Sequence, residues 1–352
     1  MKSHRELALL SFVLLASAVD AAEEPLCVSN ATELRQALLI AAGSGFDYDI
    51  RLRPGIYFAG GQAFTYNVAA HGLVISGGWS DDHDPCDVQD PHAGTTILDG
   101  QNASAILKIT ATGDAPGTQL AVRNLTLRNG GTSTDGEAAA LALYGATSQE
   151  LRIQNTIVVS SHNTTSAPLL ATTNVVTLNG YGDIYFINNV MADVSSVGYA
   201  ELAFRTTFQE QTVYVHNNTL LMTFGSFHSA HGTAFRVVNN ALVGQYLFDG
   251  FDSEDPVRAW LFNNLGNWSG SVYDANVQAE SGNDKAVTNP QFVGPSDFHL
   301  SAGSPLVNRG LNEPIGGSSS TDLDGRARID LGYIDVGAYE STRERIFADA
   351  FD

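Results

Sequence analysis

The chain reads as all-β, a single right-handed parallel β-helix (solenoid) with an N-terminal capping helix. Three observations predict this fold: an Asn-Asn motif recurs at the interval of one coil, its flanks are β-branched or aromatic, and the two ends of the chain lack it. The copies are Phe186-Ile-Asn188-Asn189-Val-Met191, Val215-His-Asn217-Asn218-Thr-Leu220, Val237-Val-Asn239-Asn240-Ala-Leu242 and Leu261-Phe-Asn263-Asn264-Leu-Gly266. Successive copies are 29, 22 and 24 residues apart, and weaker relatives lie at Val122–Leu127 and Ile153–Ile157. Each copy suits two short strands meeting at a polar bend, because Asn tolerates the left-handed backbone that a tight bend needs. Its amide both donates and accepts, so Asn189, Asn218, Asn240 and Asn264, or the Asn before each, are expected to stack as a ladder. Sugar or metal contacts are the alternative for these residues, and the ladder is preferred because they recur with the repeat.

The elements follow in chain order. Residues 1–21 have the basic start (Lys2, His4, Arg5), short apolar run and small-residue end of a signal peptide. The apolar run is too short to span a bilayer comfortably, and no later stretch is apolar for long enough. Residues 22–44 form the cap: Asn30-Ala-Thr-Glu33 is a capping box before a helical pattern of Leu34, Ala37, Leu38, Ala41 and Ala42. Residues 45–286 are the coils, opening with the alternating segment Asp49–Tyr57. Residues 287–340 are a terminal-coil module without the Asn repeat, and 341–352 a tail. Within 287–340, Asp322-Leu-Asp-Gly325 reads as a tight turn, and Arg326 and Arg328 are expected to pair with Asp335 or Glu340 in a structural role.

Composition limits the partners. The formal charge is −20, with three lysines, so nucleic acid is excluded as a partner, and polyuronates would need bridging cations. The two cysteines of an exported chain, Cys27 and Cys86, are expected to form one disulfide between the mature N-terminus and an acidic loop. A secreted or cell-surface monomer is expected, with no transmembrane segment.

The motifs carry a family resemblance. Ile75-Ser-Gly-Gly-Trp79 leading to Thr95-Thr-Ile-Leu-Asp-Gly100 is similar to the first coils of polymorphic outer-membrane-type β-helix proteins. Phe298-His-Leu-Ser-Ala-Gly-Ser-Pro305, Asp322–Arg326 and Asp335-Val-Gly-Ala-Tyr-Glu340 resemble the C-terminal part of "choice-of-anchor Q" domain proteins. With the Asn-Asn repeat, these motifs resemble bacterial exported β-helix proteins of the pectin-lyase-like superfamily over most of residues 27–340. The resemblance implies fold and export, and it is nearly silent on activity. The tail Ile346-Phe347-Ala-Asp-Ala-Phe351-Asp352 resembles the Ile-Phe-x-Asp-Gly-Phe-Glu endings of some exported bacterial proteins, which implies a sorting or attachment signal.

Enzymes on this fold need paired carboxylates, or a base beside a charge-neutralising group. The polygalacturonase-like set of Asn-Thr-Asp, Asp-Asp, Gly-His-Gly and Arg-Ile-Lys is absent, and His228-Ser-Ala-His231-Gly232 is a faint echo of its histidine element. No catalytic residue is therefore assigned. Two acidic loops remain. Asp81, Asp82, Asp84 and Asp87, around His83, could supply oxygens to Ca²⁺, although a solvated turn is the plainer reading without EF-hand or RTX spacing. No other cofactor is expected. Asp249, Phe251 and Asp252 place carboxylates beside an aromatic ring, a combination that suits a sugar groove, against the plainer reading of a lateral loop packed on the coil. The expected function is a secreted or surface β-helix module that contacts polysaccharide or a cell-surface component without catalysis; the alternative is a polysaccharide lyase or glycoside hydrolase with an unrecognised site. A cluster of carboxylates with His or Arg on one sheet face of adjacent coils would distinguish the two.

Overall fold

A computed structural model describes residues 25–80, 86–90, 92–113, 117–134, 137–146, 149–164, 174–197, 200–206, 211–229, 232–249, 256–272, 277–329 and 332–341. The signal segment, Asp81, Asp82, His83, Asp84, Phe251, Asp252 and the tail 343–352 lie outside these residues.

The chain winds as a parallel β-helix whose coils contribute one strand to each of three sheets. Sheet A runs from Leu26–Val28 and Tyr48–Leu52 through Ile184–Ile187 and Thr212–His216 to Val277–Gly282. Sheet B runs from Gly55–Phe58 through Thr96–Asp99 and Val190–Ser196 to Lys285–Ala286. Sheet C runs from Phe64–Val68 through Leu141–Tyr144 and Leu202–Thr206 to Trp268–Val272. Each of these ladders is parallel and advances about 4.8 Å per coil. Alternate residues point inward, and the centre is filled by one continuous apolar cluster from Val28 to Val277. Within it Phe204, Phe227 and Phe248 stack on successive coils with centroids 5.0 and 4.6 Å apart.

The bend between sheets A and B explains the repeat. Asn124, Asn155, Asn188, Asn217, Asn239, Asn263 and Asn283 all hold left-handed backbone, with φ between 52 and 60°. The second Asn of each pair makes the side-chain ladder. The backbone N–H groups of Asn189, Asn218 and Asn240 donate to the side-chain oxygens of Asn218, Asn240 and Asn264 at 2.8, 2.9 and 3.2 Å. The amides of Asn189, Asn218, Asn240 and Asn264 in turn donate to the carbonyls of Ile153, Phe186, Val215 and Val237 at 2.7–3.1 Å. All four side chains are fully buried. The ladder ends on a carboxylate: Asn264 N–H donates to Asp284 Oδ1 at 2.6 Å, and burial pushes the Asp284 carboxyl above its ordinary value.

The ends are closed differently. Helix Ala31–Gly43 covers the first coils with Leu34, Ala37, Leu38 and Ala41. Asn30 Oδ1 accepts from the N–H groups of Thr32 and Glu33, while Glu33 accepts from the Ser29 N–H. Cys27 and Cys86 are joined, 59 residues apart, tying the strand Leu26–Val28 to the segment that follows Trp79. Gly78, just before Trp79, has φ +84°, and a Cβ there would lie 1.9 Å from the Asp90 carbonyl, so only glycine fits.

Residues 287–341 contribute no strand to the coils among the described residues. They run back along the bend and over the outer side of sheet B. Leu323, Ala338 and Tyr339 pack with Val190 and Ala192, and Leu306 and Val336 with Ala241 and Leu265. Arg328, 1% exposed, pins this segment to the bend. It pairs with Glu340 at 2.8 Å, donates to the carbonyls of Gly337 and Asn217 at 2.8 and 3.2 Å, and donates to Asn188 Oδ1. Arg326 pairs instead with Asp324 inside the tight turn, at 2.9 Å, while Glu340 is taken by Arg328 and Asp335 accepts the N–H groups of Asn308 and Ser341.

Candidate glycan-binding face

The three outer faces differ in what they leave for a ligand. Sheet B is covered by residues 287–341. Sheet A carries two stacks along one row: Arg152 lies 4.1 Å over Tyr185, which stacks on Tyr214 at 4.7 Å and 14°, and Arg236 lies 4.3 Å over Trp260. In those stacks, ring faces meet one another or guanidinium planes. Gly316 also sits against Tyr214, where a Cβ would lie 2.1 Å from the ring. A stack whose faces are already occupied cements coils together and is a poor platform for a sugar ring.

Sheet C presents a different row. Register places Tyr144, Asn179, Arg205, His228 and Asp249 one above another on five successive coils. Tyr144, Asn179, Arg205 and His228 are half-buried. Two residues earlier on the same strands stand Ala142, Thr177, Ala203 and Ser226, side chains too short to reach far from the sheet, so the longer row stands above a low floor. Burial raises the Tyr144 phenol above its ordinary value, and the nearby charge of Arg205 works against that rise. The row thus gathers hydrogen-bonding groups of every kind, a ring and two basic side chains at a spacing of about 4.8 Å.

Asp249, singled out in the sequence for its loop, ends the strand Ala241–Asp249, its backbone in register with His228, while its companions Phe251 and Asp252 lie outside the described residues. His228 belongs to the same row through its pairing with Arg205 and Asp249, not through the His228–His231 spacing. Tyr144, Asn179 and Arg205 carried no sequence signal. The distance from the bend asparagine to the row falls from 17 residues (Asn188 to Arg205) to 11 (Asn217 to His228) and 10 (Asn239 to Asp249), so unequal loops hide the alignment.

Of the acidic-loop candidates for Ca²⁺, Asp87 is exposed beside Cys86, and Asp81, Asp82 and Asp84 lie outside the described residues. Among the described residues no group of three or more His, Cys, Asp or Glu could hold a metal. The acidic groups of residues 287–341 serve packing. His299 bridges Asp297 and Asp324 at 2.5 and 2.7 Å, and those two carboxylates raise its ring to a pKa of about 9 against the effect of burial. No helix among the described residues is long and apolar enough to cross a membrane.

No protein-family model and no curated protein matches the chain.

Proposed function

We propose that this protein is an exported β-helix module that binds an extended polysaccharide or cell-surface glycan along the Tyr144–Asp249 row of sheet C, without turning it over. The observation that carries this reading is the row itself: the half-buried side chains of Tyr144, Asn179, Arg205 and His228, a ring, an amide and two basic groups, in register on successive coils of sheet C. A glycan offers hydroxyls that donate and accept, and it matches such a row better than an apolar or polyphosphate partner would. Arg205 also supplies local positive charge within a chain of net charge −20, which would admit an acidic sugar at this one place. The disulfide is compatible with the export implied by the first 21 residues. Membership of the pectin-lyase-like superfamily, and of the "choice-of-anchor Q" group within it, is part of the same proposal and rests on the motifs quoted above.

One observation favours a second reading, a polysaccharide lyase or glycoside hydrolase. Arg205, His228 and Asp249 fall on three consecutive coils, the residue types that acid–base chemistry on a sugar requires. A panel of neutral and uronate polysaccharides separates the two readings by retention in affinity electrophoresis and by release of reducing or unsaturated ends. Retention without product is the expected result. Product formation that is abolished by His228→Asn or Asp249→Asn would establish the enzyme instead, and retention of no glycan would remove both.

A further inference from the structure

The two ends of the solenoid are not equivalent. Helix Ala31–Gly43 and the Cys27–Cys86 bond close the first coil. The last coil has no such lid among the described residues. Its sheet A strand, Val277–Gly282, pairs with Val257–Phe262 of the coil before, and no described strand pairs with its other side. Gln278, Ala279, Glu280 and Ser281 are all exposed, although Ala279 and Ser281 stand directly over Ala259 and Leu261 of the core.

The hydrogen-bond direction identifies the open groups. Asn263 N–H donates to the Gly282 carbonyl at 3.1 Å, so Gly282, and with it Glu280 and Gln278, turn their backbone groups toward the preceding coil. Val277, Ala279 and Ser281 turn theirs the other way, where no described strand meets them. This is an edge six residues long whose one charged side chain is Glu280.

A cleft of about 390 Å³ opens beside this edge on the outer side of sheet A. Trp260, Phe262 and Glu280 line it from the sheet, and Leu311, Pro314 and Ile315 of the returning segment form its far wall. Leu311 and Ile315 are 47% and 66% exposed. A Cβ on Gly282 would lie 2.6 Å from the Phe262 ring, so that ring rises to the level of the last strand. A side chain standing over Gly282 in a further strand would meet it.

An open edge beside an apolar cleft is the arrangement by which a sheet takes up an extended peptide: main-chain bonds hold the added strand, and alternate side chains select it. The position over Glu280 calls for a basic residue, and the position two away, over Gly282, for a large apolar one. A second copy of this chain is a poorer occupant, because each copy carries a charge of −20. We propose that the last strand of sheet A takes an extended peptide segment of a partner as its next strand, with a basic residue against Glu280 and an apolar residue in the cleft against Phe262. This site stands independently of the sheet C row.

The probe is a labelled peptide, acetyl-Thr-Leu-Thr-Lys-Thr-Leu-Thr-amide, whose two leucines flank the lysine so that either strand direction is allowed. Fluorescence anisotropy with the full, oxidised protein should show saturable binding. Two N-methylated forms are compared, one blocking the leucine and lysine amides and the other the threonine amides. One form should bind about tenfold more weakly and the other about as well as the parent, because an added strand turns only alternate N–H groups to the edge. Glu280→Lys should weaken the probe about tenfold and reverse the preference toward a peptide with Glu in place of Lys. Ile315→Ser should weaken binding with the thermal midpoint unchanged. The proposal is overturned if the probe does not bind, if both methylated forms bind alike, or if Glu280→Lys leaves the preference unaltered. It is also overturned if the probe binds only after residues 342–352 are deleted, which would give the edge to that segment. A protein that sediments as a dimer and excludes the probe would give the edge to a second copy and overturn it too.

Discussion

The first coils and the later ones solve the same bend in opposite ways. From Asn189 to Asn264 every coil uses one solution, a left-handed Asn followed by a buried Asn that bonds the coils on either side. In the first coils the bend is built from unrelated parts. Arg53-Pro54 turns one coil and Gly77-Gly78 the next. The Tyr57 hydroxyl donates to the carbonyls of Val28 and Arg53 at 2.8 and 3.0 Å, and the disulfide and the helix Ala31–Gly43 close the end. A coil with a neighbour on each side can rely on a ladder that passes hydrogen bonds along the axis. A terminal coil lacks one neighbour and needs a staple and a lid.

Removing the staple should have the largest effect. Cys27→Ser with Cys86→Ser is expected to cost up to about 4 kcal/mol on the loop-closure view of a 59-residue separation. The loss should be local: hydrogen exchange should accelerate in Leu26–Val28 and Tyr48–Leu52 while Val215–Leu242 stays protected. Uniform acceleration would mean that the two regions do not differ in the way described.

Breaking the ladder is the reciprocal test. Asn218→Ala removes the acceptor of the Asn189 N–H and the donor to the Phe186 carbonyl, both buried. The expected cost is about 3 kcal/mol by chemical denaturation, with exchange accelerating first in Ile184–Ile187 and Ala234–Val238. A loss below about 1 kcal/mol would show that the ladder marks the bend without holding it.

Asp284, where the ladder ends on a carboxylate, gives the smallest and most pH-dependent effect. Its folded pKa is raised, so its folded form keeps the proton longer than the unfolded chain does. Stability from this group is therefore full below the unfolded value of about 4 and falls as pH rises through the folded value. Asp284→Asn continues the ladder without a charge. It should add up to about 1 kcal/mol at pH 7 and nothing at pH 3.5, read as a difference in denaturation midpoints.

The same contrast explains what the sequence could disclose. The Asn-Asn repeat, the capping box before Leu34 and the Cys27–Cys86 pair were legible because each is a local pattern with one physical cause. The return of residues 287–341 over sheet B was not, because the contact of Arg328 with Asn188 joins residues 140 positions apart. The sheet C row was equally hidden: its members align only after loops of different length have closed.

The most direct measurement compares the two sheet faces in one binding experiment. Retention of a bound polysaccharide in affinity electrophoresis should weaken at least tenfold in the double variant Arg205→Gln, His228→Gln on sheet C. It should be unchanged in Arg152→Gln, which disturbs the stacked row of sheet A. Equal losses from both variants, or full retention in the sheet C variant, would contradict the assignment of the glycan to the row from Tyr144 to Asp249.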